Sequence, residues 1–229
     1  MMSVNNETGE ILPHYAIGDL CKKNGILFHT DATQYIPHFE PHLENVDVMT
    51  CSAHKFNGPR GVGFLYSKTP EILYPLIFGG KQENHLRGGT ENLPAICGMT
   101  LALQKRHLTL FMNDELNQIK EHIKQELSQI PDLYFTYKEK NTVPILNFYV
   151  KGLDAEVLMS LLNQKGIYVS STSACASGEH QPSHVLTAMG FDSNVASNAI
   201  RISFDYDIGT DQIDYALYEI KKAIKFLKG

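Results

Sequence analysis

The chain has 229 residues, 43% hydrophobic and 20% charged, a composition that fits a folded globular protein and excludes a disordered one. Its 20 basic and 25 acidic side chains leave a net charge of −5, which gives no electrostatic basis for a nucleic-acid or anionic-membrane partner. No apolar run approaches the ~18 residues of a membrane span, no basic-then-apolar secretory pattern opens the chain, and Cys21, Cys51, Cys97 and Cys175 form no CxxC pair, so a reduced cytoplasmic protein without zinc or disulfides is expected.

In chain order, Met1 to Val4 read as the end of a buried interior strand, and "NNETG" (5–9) as the loop that follows it. "HYAIGDLCKKNG" (14–25) predicts a short helix closed by Gly25. "ILFHTDA" (26–32), "VDVMTCSA" (46–53) and "GVGFLYS" (61–67) are strand-like, and their spacing predicts a largely parallel α/β sheet. Working residues in such sheets sit at the carboxyl ends of strands, where Asp31 and Lys55 fall. Asn92 and Pro94 mark a helix start. From Leu108 onward, Met112, Leu116, Ile119, Ile123, Leu127 and Ile130 recur at spacings of three and four, one apolar helix face ended by Pro131. The pattern then restarts. "PILNFYV" (144–150), "IYVSS" (167–171) and "AIRISF" (199–204) are strands, "DAEVLMSLLNQKG" (154–166) is a helix capped by Asp154 and stopped by Gly166, and Ile213, Leu217, Ile220, Ile224 and Leu227 line a last helix.

"CSAHKFNGPRG" (51–61) sets Lys55 among small residues just past a strand, where partial desolvation would lower its pKa and make it a usable amine nucleophile. One use of such a lysine is a Schiff base to pyridoxal phosphate, which also needs a carboxylate at its ring nitrogen; Asp31 in "HTDATQ" could supply it. Alone, Lys55 reads as a solvated loop lysine and Asp31 as a turn or cap residue. In "RGGTEN" (87–92) two glycines permit close backbone approach, and Thr90 stands just before a helix N-terminus, an arrangement suited to an anion. "SSTSACASGEH" (170–180) is built of small residues and reads as an exposed loop, in which the Cys175 thiol can ionise and act as a nucleophile. His38 and His42 in "PHFEPH" lie between prolines with no third ligand near, so no metal is expected there.

"HTDATQ", "CSAHKFNGPRGVGFLY", "GGKQENHLRGGTENLP" (79–94), "SSTSACASGEHQPSHVLTAMG" (170–190) and "AIRISF", in that order, resemble the pyridoxal phosphate-dependent cysteine desulfurases of the NifS/IscS type, within the class V aminotransferases. The resemblance implies the α/β fold of type I pyridoxal phosphate-dependent transferases (aspartate-aminotransferase-like). Residues 1–100 would be the C-terminal half of the large domain, 101–131 a connecting helix and 132–229 the small domain with the cysteine loop. It implies that Lys55 carries the cofactor, His54 contacts it and moves protons, Asp31 pairs with the pyridinium, Gln34 bonds the phenolic oxygen and Ser52 touches the phosphate. Asn6 would lie near the cofactor and the substrate carboxylate, which Arg201 would clamp, and Thr90 would reach the phosphate in a partner subunit, making the protein a homodimer. Sulfur would pass from L-cysteine to Cys175 as a persulfide, leaving L-alanine, and on to an acceptor protein for iron–sulfur cluster assembly or tRNA thiolation.

Three departures bear on this expectation. Asp205 and Asp207 stand after "RISF" where the family more often has Gly and a neutral residue, and Lys81 replaces a Gly. The family also carries a half-domain before the "NNE" segment, with a glycine- and threonine-rich phosphate loop and a ring-stacking histidine; no "GGTESNN"-like stretch occurs here. The sequence therefore reads as lacking an N-terminal part, to be completed by a longer chain or a second polypeptide. The alternatives are a non-catalytic scaffold of the same descent and a selenocysteine lyase using the same residues.

Overall fold

The computed structural model describes residues 1–109, 113–137, 143–171 and 181–229. These form two compact units: Met1–Val4 with Leu12–Phe111, and Asn5–Ile11 with Met112–Gly229.

The first unit begins with Met1 to Ser3 lying alongside β1 (His29–Asp31), joined by a parallel Met2–Asp31 bridge and by the Ser3 and Asp31 amides, which donate to the Asp31 and Met1 carbonyls. The strand expected over Met1 to Val4 is present only as this isolated bridge, with Met1 exposed. Helix α1 (His14–Lys23) connects them to β1. β1 pairs parallel with β2 (Val48–Ser52), and β2 pairs antiparallel with β3 (Gly63–Ser67). The expectation of a largely parallel sheet is corrected at β3. The β2–β3 connection, residues 53–62, holds only the 3₁₀ turn Ala53–Phe56, whereas a parallel return needs a dozen or more residues. The strands are also shorter than their apolar runs: Ile26 and Leu27 are exposed and precede β1.

The two faces of this sheet differ. Thr30, Met49 and Cys51 point into a core with Val4, Phe28, Ile36 and Phe56. The opposite face carries His29, Asp31, Thr50, Ser52 and the exposed Leu65, aligned by the registers Asp31–Thr50, Thr50–Leu65 and Ser52–Gly63. Helix α2 (Leu93–Thr109) packs against the Ala53–Phe56 turn, and its start is held by Asn92 Oδ1, which accepts from the Ala95 amide at 3.3 Å.

In the second unit, helix α3 (Asn113–Leu127) precedes β4 (Leu133–Phe135) and β5 (Ile145–Val150). Helix α4 (Ala155–Asn163) and β6 (Ser170–Ser171) follow, then the short helices α5 (His184–Ala188) and α6 (Ser193–Asn198), β7 (Ile200–Ser203) and the terminal helix α7 (Thr210–Lys228). The antiparallel sheet has the order β4–β5–β7–β6. Leu146, Phe148, Val150 and Ile200 on one face, with Ile123 and Leu127 of α3, Leu158 and Leu162 of α4, and Ile213, Leu217, Ile220 and Ile224 of α7, make one continuous core. Asp154 caps α4 as expected, its Oδ1 accepting from the Glu156 amide at 2.8 Å. Among the described residues no helix is long and apolar enough to cross a membrane.

Candidate active site

The first unit gathers the residues at the carboxyl ends of β1 and β2. Asp31 closes β1 with its side chain exposed, and its Oδ1 accepts from the Thr33 amide at 2.9 Å in a tight turn. On the neighbouring strand Ser52 closes β2 and is half-buried. His54 and Lys55 follow within the 3₁₀ turn, and both are exposed. The desolvation expected for Lys55 is therefore not found, because the turn lifts it past the end of the strand. The turn itself is dictated by sequence. Asn57 adopts the left-handed conformation at φ 63°, and Gly58 approaches Ala53 so closely that an added Cβ would lie 2.9 Å from the Ala53 carbonyl oxygen. Gln34 is half-buried just after β1. His29 and Thr50, which sequence reasoning did not single out, share the open face, with His29 Nε2 and Thr50 Oγ1 3.1 Å apart. The signal available was alternation: His29 stands two residues before Asp31 on a strand.

Thr90 is exposed ahead of α2 in the same unit. The glycines before it act as their spacing predicts: a Cβ on Gly88 would lie 2.6 Å from the Gly79 Cα, so the two backbones cross with no room for side chains. Behind the sheet, burial and then the nearby Asp31 carboxylate push the Cys51 thiol up to about 12, which makes it an inert core residue.

The second unit brings Asn6 and Arg201 together. Arg201 Nη1 donates to the Asn6 carbonyl at 3.0 Å, while Arg201 Nε is buried with no hydrogen-bond partner among the described residues. An unpartnered, buried guanidinium N–H is costly unless an acceptor fills the place, which makes this atom a candidate donor to a bound ligand. Arg201 belongs to a polar row crossing the sheet face opposite the apolar core, where Asn147 lies in register with it on one side and Ser170 on the other.

This row holds the Asn6 segment through contacts that the sequence reading missed. Asn147 Nδ2 donates to the Glu7 carbonyl at 3.2 Å, and Asn147 Oδ1 accepts from Thr136 Oγ1 at 2.6 Å. Asn5 Oδ1 accepts from the Glu7 and Thr8 amides, and Ser183 Oγ donates to Glu7 Oε2 at 2.5 Å. Ser183 also caps α5 by accepting from the Leu186 amide at 3.1 Å. Cys175 lies outside the described residues. Among the described residues no cluster of three or more His, Cys, Asp or Glu is placed to hold a metal.

The donor set suits pyridoxal phosphate at two of its ends. It offers a carboxylate (Asp31) of the kind the ring nitrogen needs and an amine (Lys55) of the kind the aldehyde needs, at the ends of adjacent strands, with the Ser52 hydroxyl between them in sequence.

A half-parallel, half-antiparallel sheet with lysine and aspartate at neighbouring strand ends, followed by a small antiparallel α/β unit, defines an α/β protein of the type I transferase kind, and the class V aminotransferase family profile matches residues 1–216. The chain belongs to that family, whose enzymes depend on pyridoxal phosphate. It is 35% identical to the cysteine desulfurase IscS of Methanosarcina thermophila over 235 residues, covering 100% of this chain and 57% of that protein. Among solved structures, a NifS-like protein superposes with a TM-score of 0.88 at 33% identity, covering 99% of this chain and 60% of the other. SspA in complex with cysteine superposes with a TM-score of 0.68 at 30% identity, covering 89% and 57%. The chain thus spans about three fifths of the length of the curated relatives it matches.

Proposed function

We propose that this chain carries the lysine, aspartate, arginine and thiol of a cysteine desulfurase. The enzyme would convert L-cysteine to L-alanine with the sulfur retained as a persulfide on Cys175. The observation that supports this most strongly is the pair Asp31 and Lys55 at adjacent strand ends within a chain whose whole length aligns with cysteine desulfurases. A protein solved in complex with cysteine shares the fold, which favours the same substrate here.

When bound, pyridoxal phosphate supplies an electron sink for the charge left on the substrate α-carbon as its proton departs. Asp31 would keep the ring nitrogen protonated through its carboxylate. Lys55 would hold the aldehyde carbon of the cofactor, and its Nζ would take the α-proton, with His54, next in sequence, assisting that transfer. Arg201 binds the substrate carboxylate through its N–H groups, Nε included, with Asn6 fixed beside it. The Cys175 thiolate attacks the substrate sulfur, forming the S–S bond as the substrate C–S bond breaks. The released electron pair stays on carbon and is protonated to the methyl group of alanine. Gln34 and Ser52 orient the cofactor, and Thr90 serves the site of a partner subunit in a homodimer. The persulfide then passes to an acceptor protein for iron–sulfur assembly or tRNA thiolation, in the reducing cytoplasm that the free thiols of Cys21, Cys51 and Cys97 suit.

The test is alanine release from L-cysteine by the chain with pyridoxal phosphate, alone and with the N-terminal part of a NifS-type relative supplied in trans. Alanine and a Cys175 persulfide should form in the complemented mixture and vanish in Cys175→Ser. Sulfur release that survives that substitution would overturn the persulfide step. A second reading, a non-catalytic scaffold, is favoured by the open sheet face with Leu65 53% exposed, a surface available to a binding partner; it predicts no alanine in either mixture.

A further inference from the structure

A cavity lies in the Asn5–Ile11 and Met112–Gly229 unit. It has a volume of about 480 Å³, and opens between the segment before β6, the residues following β7 and helix α7. Its floor reaches the core at Ile220, 2% exposed, and Ile202, and its mouth is flanked by Tyr168 and Tyr215, 81% and 49% exposed. The size and apolar floor are those of a small-molecule pocket. Asp205 and Asp207 also line it, Asp205 Oδ1 accepting from the Tyr206 amide at 2.9 Å, and among the described residues no lysine, arginine or histidine does. Asp207 is exposed, and its side chain makes no hydrogen bond or ion pair among the described residues. These are the two carboxylates that follow "RISF".

We propose that this cavity binds an organic cation with an apolar body, such as an arylalkylammonium. The body would lie on Ile202 and Ile220, removing apolar surface from water. The ammonium would face the Asp205 and Asp207 carboxylates, and the Tyr168 and Tyr215 rings, which also line the cavity, would add cation–π contact to the same charge. A neutral or anionic ligand of the same shape gains only the apolar part, so the charge sets the selectivity. The site is independent of cysteine desulfuration, because none of its lining residues belongs to the proposed catalytic set.

The probes are 4-phenylbutylammonium, 4-phenylbutanol and 4-phenylbutyrate, titrated into the full chain and followed by methyl NMR shifts of Ile202 and Ile220. The ammonium should bind about five- to tenfold tighter than the alcohol at low salt, with the carboxylate weakest. In Asp205→Asn/Asp207→Asn, checked for folding by circular dichroism, the three affinities should converge; Asp207→Asn alone, at an exposed position, should lose part of the preference. Equal binding of all three probes to the wild type, no shift at either isoleucine, or a preference that survives the double substitution would each overturn the proposal.

Discussion

Arg201 and Asn6, 195 positions apart in sequence, are joined by a 3.0 Å bond from the Arg201 Nη1 to the Asn6 carbonyl, and the same guanidinium keeps a buried Nε with no partner among the described residues. One end of the group is thus fixed by protein while a donor waits for an acceptor. Replacing Arg201 with Lys removes the planar fork but keeps the charge. In the complemented enzyme Arg201→Lys should lower kcat/KM for L-cysteine by about 10- to 100-fold, the loss of one or two charge-assisted bonds, chiefly through KM. Steady-state kinetics against cysteine concentration checks this.

Ser183 has two tasks, donating to the Glu7 carboxylate at 2.5 Å and capping α5. Ser183→Ala removes both bonds and leaves a buried carboxylate oxygen without its hydroxyl donor. The variant should lose about 1–3 kcal/mol of stability, read as a shift in urea midpoint. Ser183→Thr, which keeps the hydroxyl, should recover most of it.

Lys120 is buried at 2% exposure with its Nζ donating to the Val143 carbonyl at 2.6 Å, and burial brings its pKa down to about 7. The unfolded chain binds this proton up to the ordinary lysine value of 10.5, so between about pH 7 and 10.5 the unfolded state carries more protons than the folded one. The contribution of Lys120 to stability therefore rises with pH across that window, and below it the cost of burying the charge is fully felt. Lys120→Met should flatten the dependence of stability on pH from 7 to 10 relative to wild type, a difference on the order of a few kcal/mol across the window, measured by urea unfolding at stepped pH.

Cys51 is buried with its thiol pushed up to about 12, while Cys97 is exposed. Iodoacetamide at pH 8 should modify Cys97 quickly and leave Cys51 intact until the protein is unfolded, as mapped by peptide mass spectrometry.

Much of this architecture was legible because it is local. The Asp154 cap and the apolar stripe of α7 each follow from residues within a few positions of one another. The antiparallel β3 was masked because its strand-like run carries no mark of direction; only the short connection after Ser52 decides it. The contacts around Glu7 were invisible for a different reason. Asn147 sits in a strand buried along its whole length and reads as an interruption until Thr136 and the Glu7 carbonyl, 11 and 140 positions away, are brought to it. Asp205 and Asp207 stood out as departures, but that they line a cavity emerged only from the packing of α7 against β7. Lys55 was found by its motif, whereas its exposure depends on how far the turn extends past β2, which spacing does not encode.

The central claim is that Lys55 is the lysine that engages pyridoxal phosphate. It is tested most directly by incubating the 229-residue chain with pyridoxal phosphate, reducing with borohydride and mapping the fixed pyridoxyl group by mass spectrometry. The label should concentrate on Lys55, disappear from that peptide in Lys55→Ala and weaken in Asp31→Asn. A label spread evenly over exposed lysines such as Lys68, Lys151 and Lys222, with Lys55 no more modified than they are, would contradict the account.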